Sequence, residues 1–444
     1  PPDNTMPPIA VRSLADLDAA ERARLHRRSE LDIAAVEIPV RYIVDRVRLD
    51  GDAAVLRFTA EFDKVDLTGK PLRVAESEFD AAERRLSAEV REAILFASAN
   101  IAKAHRAQLH PSDIRTEIAP GVLVGERTLP LDTVALYVPR GKGSFPSVVM
   151  MLAIPAIVAG VARPLIVTPP SPSGEVDDAS LFAARTAGVT EVYRVGGAQA
   201  IAALAFGTQS IPRVPKVLGP GNIYVSAAKR ILYGTIDPGI PAGPSEAAIL
   251  ADAEADPDMA AHDLLIESEH GPDSTAILVT PSRTLAETVA RRVPQLIDAL
   301  PEPRRSFCTA NFGKLSGIYL TRTLDEAIDF VNELAPEHLE LLVADPFALL
   351  DRIRNAGEVL MGAYTPIVLG NFCAGSNAIL PTGGLARSAS CLGVADFQKR
   401  SSYVHVDRAG FARLGPVAAT LADYEGFPAH AAAVRMRAKA GGAQ

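Results

Sequence analysis

The sequence predicts an α/β protein with two consecutive domains built on parallel sheets, and three observations support this. The chain has 444 residues, more than a single hydrophobic core usually organises. Hydrophobic residues make up 48% of it and charged residues 22%, as in ordinary globular proteins. From Thr133 onward, short β-branched runs alternate with alanine-rich helical stretches, which is the pattern of parallel sheets covered by helices.

The N-terminal part of the chain is predicted to be helical. Apolar residues recur at three- and four-residue spacing in segments 23–51 and 78–109, which is the periodicity of amphipathic helices. We therefore expect residues 1–130 to form a helical N-terminal segment that packs on the second α/β domain.

Two series of strand and helix patterns follow this segment. In residues 131–240 the strand-like runs are VALYV, PLIVT, EVYRV and VPKVL, with the helical stretches SVVMMLAIPAIVAGVA, ASLFAARTAG and AQAIAALAFG between them. In residues 241–381 the runs are AAILAD, TAILVT, GIYLTR, HLELLV and EVLM, and the helical stretches include RTLAETVARRVPQLIDAL, LDEAIDFVNELA and FALLDRIRNAG. Each series is predicted to be a Rossmann-like domain. Residues 382–444 are predicted to be a C-terminal tail that packs on another surface.

Composition excludes several classes of protein. The net charge of −8 and the lack of a basic face argue against a nucleic-acid partner. Three cysteines without a CxxC pair suggest neither a disulfide framework nor a thiolate zinc site. The N-terminus lacks a signal-peptide pattern, and the longest apolar stretch is broken by Pro155, so we expect a cytoplasmic protein without a membrane span.

Glycine-rich turns follow several predicted strands. They are PRGKGSFPS, GGAQA and GPGN, and neither GxGxxG nor GxxxxGK[ST] occurs. Backbone amides at such turns can hold a pyrophosphate. Because βα turns need glycine in any case, these turns alone are weak support for a nucleotide site.

Two carboxylates and a histidine stand close together in LLIESEHGPDS. Glu267 and His270 are three residues apart on a predicted helix that Gly271 and Pro272 end, so both side chains project from one face, as in carboxylate-containing metal sites. An isolated pair of this kind is more often a helix end at which the histidine caps the last carbonyls and the glutamates face water. The pair alone leaves both interpretations open.

Glu337 and His338 are adjacent, between a helix and a strand, in APEHLELLV. Two titratable groups at the start of a strand can serve as acid and base, although a solvated turn dipeptide is the more common explanation. His430 stands on an otherwise apolar helix start, where a lone histidine is more often a cap than a ligand.

Taken together, these segments resemble the histidinol dehydrogenase family over nearly the whole chain. The matching pieces, in the family's order and spacing, are YVPRGKGSFPS, GGAQAIAALAFGT, GPGN, PAGPSE, EHGPDS, PEHLE, ILPTGG, ADFQKR and AHAAAV. The resemblance implies a zinc- and NAD-dependent enzyme that oxidises an amino alcohol to an aldehyde and then to the acid, using two NAD in one site. It also implies an intertwined homodimer in which the C-terminal tail is exchanged and reaches the partner subunit.

The resemblance further implies roles for individual residues. Glu337 matches the glutamate that activates the water attacking the aldehyde, and His338 matches the histidine that shuttles protons. Tyr137, Gln199 and Asn222 match the residues that contact NAD.

The metal positions of the family are matched with two changes. The family uses a glutamine and a histidine in QxEH, an aspartate in the loop before LPT, and a tail histidine from the other subunit. The matching positions hold Glu267, His270, Asn371 and His430. Each set contains one carboxylate, one amide oxygen and two imidazoles, so the ligand charge is unchanged and the donors still suit zinc. We therefore expect one Zn²⁺ per subunit, with Glu269 left for water or for contact with a ligand.

The substrate positions depart further from the family pattern. Ser245 and Glu425 match residues that contact the substrate, but Ile367 and Ala378 stand where members that oxidise histidinol carry a glutamate and a histidine. Losing two polar partners costs several kcal/mol for a substrate that needs them, so we expect a small polar alcohol other than histidinol. Arg140, where the family commonly has glycine, either adds a positive charge suited to an anionic substrate or is a surface arginine.

Three other functions stay open at this stage. One is authentic L-histidinol dehydrogenase of histidine biosynthesis, with a repacked pocket. Another is a two-electron alcohol dehydrogenase that stops at the carbonyl. The third is a catalytically silent binding protein, against which the retained Glu337 and His338 argue.

Overall fold

The computed structural model describes residues 7–29, 32–140, 143–240 and 243–441. Gly141, Lys142, Pro241 and Ala242, which belong to the motifs above, lie outside the described residues. The described residues fall into a larger unit, from Pro1–Gln108 and Asp132–Phe397, and a smaller unit, from Leu109–Leu131 and Gln398–Gln444. The expected four-part division at residues 130, 240 and 381 stays a prediction.

Thirteen strands lie within the described residues. They are β1 (Val11–Ser13), β2 (Asp113–Ala119), β3 (Val122–Pro130), β4 (Thr133–Tyr137), β5 (Arg163–Thr168), β6 (Val192–Arg194), β7 (Val217–Leu218), β8 (Glu246–Ala251), β9 (Thr275–Thr280), β10 (Gly317–Leu320), β11 (His338–Leu342), β12 (Glu358–Met361) and β13 (Gln398–Val406).

The described residues also form seventeen α-helices. They are α1 (Ala19–His26), α2 (Ile33–Asp50), α3 (Asp52–Phe58), α4 (Glu76–Arg85), α5 (Ala88–Arg106), α6 (Pro146–Val158), α7 (Asp178–Ala187), α8 (Gly197–Phe206), α9 (Ile223–Ile231), α10 (Pro257–Ile266), α11 (Arg283–Ala299), α12 (Arg304–Phe312), α13 (Leu324–Leu334), α14 (Pro346–Leu350), α15 (Ile367–Phe372), α16 (Arg408–Tyr424) and α17 (Pro428–Gly441). A π-helical turn lies at Thr59–Asp63 and a 3-10 turn at Ser268–His270. None of the described helices is both long enough and apolar enough to span a membrane.

Four parallel strands form the smaller sheet of the larger unit, in the order β6-β5-β4-β7. Counted from β4, this is the 3-2-1-4 order of a Rossmann-like half. Residues 198–205 of α8 are all buried, because a helix that is apolar on every side packs inside the protein. The first predicted α/β fold is confirmed.

Six parallel strands form the larger sheet, in the order β1-β10-β9-β8-β11-β12. Counted from β8, the order is 3-2-1-4-5, with β1 added at the edge. Every residue of β8, β9 and β11 is buried, as expected for parallel strands with helices on both faces. The second predicted α/β fold is confirmed, and it repeats the topology of the first.

The N-terminal helices pack differently from our expectation. We expected this segment on the second α/β domain. Instead, Val40, Val44 and Phe58 of α2 and α3 share a core with α8 and α9 beside the smaller sheet, whereas β1 and α1 pack with the larger sheet, where Leu25 is part of the core. The apolar faces of these helices were evident in the sequence. An apolar face does not show, however, which surface of the protein the helix packs against.

The helix predicted from FALLDRIRNAG is shorter than expected, since α14 ends at Leu350. Beyond it, Asn332 of α13 donates to the carbonyl of Arg352 at 2.9 Å and accepts from the backbone N–H of Arg354 at 2.6 Å. These side-chain bonds replace the helical bonds that would have extended α14.

The smaller unit consists of an antiparallel sheet and a helical hairpin. The sheet order is β13-β3-β2, and α16 and α17 pack on each other. Strands β2 and β3 lie within residues 1–130, which we expected to be helical. Five of the seven residues of β2 are exposed. The strand therefore has no buried face, and its sequence lacks the alternation of apolar and polar residues by which a half-buried strand is predicted.

Candidate active site and metal centre

Three neighbouring strands of the larger sheet begin with polar side chains. β8 begins at Glu246, β11 at His338 and β12 at Glu358, and β11 lies between the other two. Because parallel strands share one direction, these side chains lie at one edge of the sheet, together with the preceding Ser245 and Glu337. The candidate catalytic residues therefore lie at the amino ends of the strands, whereas open α/β sheets usually bind ligands at the carboxyl ends.

Glu267 and His270 lie where α10 tightens into the 3-10 turn. Glu267 is the C-cap residue of α10, and His270 ends the turn. Side chains three residues apart eclipse in a 3-10 turn, and His270 Nδ1 lies 2.9 Å from Glu267 Oε2. Glu267 is only 1% exposed, which excludes a water-facing glutamate at this position.

A third candidate ligand meets the same carboxylate. Asn371 lies on α15, and its Nδ2 donates to Glu267 Oε1 at 2.9 Å. On the other side, Ser245 Oγ lies 3.1 Å from His270 Nδ1. Glu269, which we expected to be left for water or for contact with a ligand, is half-buried, and its carbonyl accepts a hydrogen bond from another side chain.

His338 lies beside this cluster. Its Nδ1 donates to Glu358 Oε2 at 3.1 Å, and its Nε2 lies 3.9 Å from Glu267 Oε1. The bond to Glu358 fixes the tautomer, so that Nε2 of the neutral ring carries the lone pair facing the cluster. Burial lowers the pKa of His338, but the hydrogen bond to Glu358 and the charges of Glu267 and Glu337 outweigh burial and raise the pKa to about 9.

Glu337 is a buried carboxyl group held at the start of β11. Its Oε2 accepts the backbone N–H of Glu246 at 2.9 Å. Burial raises the pKa of Glu337 well above its usual range, and the negative charge of Glu267 adds to this, against the opposing effect of His338. A carboxyl group in this environment ionises readily only when further positive charge is near.

A buried ion pair supports this edge of the sheet, and sequence reasoning missed it. Arg28 Nε lies 2.7 Å from Glu246 Oε2, Ser29 Oγ donates to the same oxygen at 2.6 Å, and the backbone N–H of Gly383 donates to Oε1 at 3.0 Å. These partners are far apart in the sequence, so no local pattern could reveal them. Glu358 was also missed, although it begins a predicted strand that directly follows the one carrying His338.

The residues expected to contact NAD lie at the carboxyl ends of the smaller sheet. Tyr137 ends β4, Gln199 lies in the first turn of α8 after β6, and Asn222 caps α9 after β7. The backbone N–H of Gly197 donates to the Tyr137 hydroxyl at 3.1 Å. This is the point between β4 and β7 at which the strand order reverses, where Rossmann-like sheets bind nucleotides.

Lys229 holds the GPGN turn in place and was also missed. Its Nζ donates to the Gly219 carbonyl at 2.6 Å. Gly219 has φ +120°, and a Cβ there would lie 2.1 Å from the Tyr137 carbonyl oxygen, so this position requires glycine. Burial lowers the pKa of Lys229 to about 8. The turn before Asn222 is therefore fixed against the end of β4.

The expected substrate positions are divided between the two units. In the larger unit, Ile367 is fully buried with Ala247 and Leu360, and Ala378 is half-buried.

In the smaller unit, Glu425 is the exposed C-cap of α16, and His430 lies in the first turn of α17, with its ring 5.1 Å from that of Phe427. One chain thus brings three of the four expected metal ligands together in its larger unit, and the fourth belongs to the smaller unit.

A comparison with protein families decides the assignment. The family model described as histidinol dehydrogenase matches residues 26–438. The chain belongs to the histidinol dehydrogenase family.

Individual members of the histidinol dehydrogenase family agree over almost the full length. A protein of Synechocystis sp. named histidinol dehydrogenase is 48% identical, over 96% of this chain and 98% of its own. A histidinol dehydrogenase homolog of Cereibacter sphaeroides is 50% identical, over 96% of this chain and 97% of its own. A crystal structure of histidinol dehydrogenase from Elizabethkingia anophelis superimposes with a TM-score of 0.90 at 33% identity, covering 96% and 97% of the two chains.

The family assignment confirms the expected class of enzyme. The chain is an NAD-dependent dehydrogenase that acts on a CH–OH group, and the histidinol dehydrogenase family uses NAD and one Zn²⁺ per subunit and forms homodimers. A catalytically silent binding protein is therefore no longer a candidate.

The cluster at Glu267 fits a divalent cation. Burial raises the pKa of Glu267, but the charge and hydrogen bond of His270 and the charge of His338 outweigh burial and lower it to about 2. A fully buried, ionised carboxylate needs positive charge around it. Turning the Asn371 amide by half a rotation would present oxygen in place of nitrogen, since the two ends have the same shape. Carboxylate, imidazole and amide oxygen are all donors that Zn²⁺ accepts.

Proposed function

We propose that this chain is a zinc-dependent, NAD-linked alcohol dehydrogenase that oxidises a small polar alcohol other than histidinol, through a bound aldehyde, to the acid with two NAD. One observation carries the proposal. His338 Nε2 lies 3.9 Å from Oε1 of Glu267, the carboxylate that His270 and Asn371 also contact. A proton acceptor and the candidate metal ligands therefore share one buried site.

In the first oxidation, His338 accepts the hydroxyl proton of the alcohol, since a Zn²⁺ in the site would disfavour the imidazolium and leave Nε2 unprotonated despite the raised pKa of the ring. Zn²⁺ bound by Glu267, His270, Asn371 and a fourth ligand, His430, would supply the positive charge that makes this hydroxyl acidic. The bond from Nδ1 to Glu358 keeps the ring oriented with Nε2 toward the substrate.

In the second oxidation, Glu337 takes a proton from the water that attacks the aldehyde. Its buried position keeps bulk water from competing, and the backbone N–H of Glu246 holds one carboxyl oxygen in place. Tyr137, Gln199 and Asn222 would hold NAD at the smaller sheet for each of the two hydride transfers.

The pocket supports an alcohol other than histidinol. Ile367 is fully buried in an apolar cluster, and Ala378 offers only a methyl group. Neither side chain can bind a cationic imidazole, whereas Ser245, beside His270, and Glu425 in the tail remain as polar contacts. A buried polar group of a substrate that finds no partner costs 1–3 kcal/mol or more.

Authentic histidinol dehydrogenase is the second candidate. The 48% identical relative in Synechocystis sp. carries that name, whereas those in Rhizobium meliloti, at 48%, and Cereibacter sphaeroides are named homologs. The names of the relatives therefore leave open whether the substrate of this chain is histidinol, which is also the question raised by the residues at the substrate positions.

The test is the yield of NADH from purified, metal-analysed protein with L-histidinol and with a panel of amino alcohols, polyols and carboxylated or sulfonated diols. We expect one zinc per subunit, and two NADH per molecule of the preferred alcohol. We expect L-histidinol to react at least about a hundredfold less efficiently, in kcat/KM, than that alcohol. One NADH per alcohol would instead indicate a two-electron enzyme, and efficient histidinol turnover would establish the second candidate.

The proposal also covers the oligomeric state of the protein and its location in the cell. We infer a homodimer in which His430 and Glu425 enter the site of the partner subunit, and a cytoplasmic location.

A further inference from the structure

Asp63 lies beside a residue expected to hold NAD. It is the last residue of the π-helical turn Thr59–Asp63 in the N-terminal segment. Gln199 Nε2 donates to Asp63 Oδ2 at 3.4 Å. Burial raises the pKa of the Tyr137 hydroxyl, and the charge of Asp63 adds to that effect. Of the three proposed NAD contacts, Gln199 therefore contacts this carboxylate, and Tyr137 is affected by its charge.

Directly after its second strand, the smaller sheet lacks the acid that dinucleotide-binding sheets usually carry there. Such sheets usually carry an acidic residue after the second strand, where it binds the 2′-hydroxyl of the adenosine ribose. The second strand here is β5, and Pro169, Pro170 and Ser171 follow it without a carboxylate. Arg140 links Asp63 to this place, because its Nη1 donates to the Pro170 carbonyl at 3.3 Å and its charge acts on Asp63.

The charges of Asp63 and Arg140 also affect whether the site prefers NAD or NADP. Arg140 is exposed, and an arginine at this place suits the 2′-phosphate of NADP. Burial raises the pKa of Asp63 to about 6, against the opposing charge of Arg140, so at neutral pH a carboxylate stands beside the guanidinium. The carboxylate offsets the charge of Arg140 and repels a phosphate.

The contacts of Asp63 favour the adenosine half of the cofactor. Hydride must reach the nicotinamide near Glu337 and His338, which lie on the larger sheet. Asp63 instead contacts or acts on Tyr137, Gln199 and Arg140, all of which follow or end strands of the smaller sheet.

We propose that Asp63 binds the 2′-hydroxyl of the adenosine ribose and makes this enzyme select NAD over NADP. The proposal rests on the cofactor site proposed at Tyr137, Gln199 and Asn222, and it adds to that site the residue that discriminates between the two nucleotides.

The test compares Asp63→Asn with the wild-type enzyme in direct binding of NADH and NADPH, followed by nucleotide fluorescence. We expect NADH to bind about tenfold more weakly, because a charged hydrogen bond is lost, and NADPH to bind at least as tightly as before. The ratio of the two dissociation constants should then shift at least about tenfold toward NADPH. Adding Arg140→Ala to Asp63→Asn should weaken the binding of NADPH and move the ratio back toward NADH.

Asp66→Asn is the matched control, because Asp66 is exposed three residues further on and accepts the backbone N–H of Thr68 at 2.8 Å. It should leave the ratio unchanged. Asp63→Ser gives an independent second variant, and thermal unfolding of each protein checks its folding.

Equal weakening for both nucleotides, as a merely structural role predicts, overturns the inference, as does an unchanged ratio. Since no alcohol is present, these results do not depend on the substrate. A wild-type protein that binds neither nucleotide overturns the proposed function and this inference with it.

Discussion

Glu340 is a fully buried carboxyl group two residues beyond His338 on β11. Neither of its oxygens has a hydrogen-bond donor within bonding geometry, and its titratable neighbour, Asp263 on α10, is itself an acid. Burial raises the pKa of Glu340 to about 10, the charge of Asp263 adds to this, and the pKa of Asp263 is raised as well. Burial beside a second acid therefore keeps Glu340 protonated at neutral pH.

This proton makes the stability of the protein depend on pH. The folded chain keeps a proton that the unfolded chain releases above the ordinary pKa of 4.5, so Glu340 destabilises the fold increasingly as pH rises from about 4.5 toward about 10. Glu340→Gln removes the titrating group and leaves a donor facing Asp263. We expect the free energy of unfolding of the variant, relative to wild type, to increase with pH by up to about 1 kcal/mol per unit.

Chemical denaturation at pH 5.5, 7 and 8.5 measures this difference. Glu254→Gln, at an exposed position, is the control and should show the same difference at every pH. A constant difference for Glu340→Gln would mean that Glu340 is ionised in the folded protein.

At the scale of elements, two short pieces of structure bring the candidate ligands together. The 3-10 turn after α10 eclipses Glu267 and His270, and α15 sets Asn371 against them. Gly370 on α15 faces Glu358, where a Cβ would lie 2.8 Å from both carboxyl oxygens. The small residue lets α15 approach the strand that orients His338.

Moving the carboxylate from Glu267, at the end of α10, to position 371 on α15 tests whether these two elements form the metal site. Glu267→Gln alone leaves one imidazole and two amides in the larger unit, without a carboxylate, so we expect most of the zinc to be lost. Glu267→Gln combined with Asn371→Asp restores one carboxylate on the other element, and we expect the zinc content to return to about one per subunit.

Metal analysis after dialysis measures the outcome, with Glu269→Gln as the control that should keep its zinc. If Glu267→Gln retains the metal, or the double variant does not recover it, the carboxylate of Glu267 is not a ligand.

At the scale of the whole molecule, the residues proposed for the site are divided between the two units. Glu337 and the cluster at Glu267 lie in the larger unit, and His430 and Glu425 lie in the smaller one. The smaller unit also exposes large apolar side chains, including Val404 at 64% and Met436 at 69%, as expected of a surface that a partner covers. Homodimers of the family provide such a partner.

Mixing two inactive variants tests whether His430 acts across the dimer. Glu337→Ala and His430→Ala should each form no acid when alone, because the first lacks the group that activates water and the second lacks a metal ligand, so acid formation is the activity measured. If His430 serves the partner's site, each mixed dimer has one site with both residues intact, and random exchange of subunits restores roughly a quarter of wild-type activity. No recovery would mean that His430 acts within its own chain, and activity of His430→Ala alone would remove it from the mechanism.

Much of the larger unit was predictable because its signals are local. Alternating strands and helices predicted both parallel sheets, and the motifs around Glu267, Glu337 and Asn222 predicted the family. The strands β2 and β13 were not predictable, because they are mostly exposed and leave no buried face in the sequence. Local patterns also failed to show that α2 and α3 cover the smaller sheet.

The sequence by itself determined the family, the fold and the residue types at each site position, since motif order and apolar periodicity are written along the chain. Only the tertiary structure decided that the proposed catalytic residues gather at the amino ends of one sheet and the proposed cofactor residues at the carboxyl ends of the other. It also decided which partners orient them, such as Glu358 for His338, Arg28 for Glu246, and Asp63 for Gln199. These pairs depend on strand register and on packing between distant segments, and electrostatic and hydrogen-bonding contacts of that kind leave no periodic trace in the sequence.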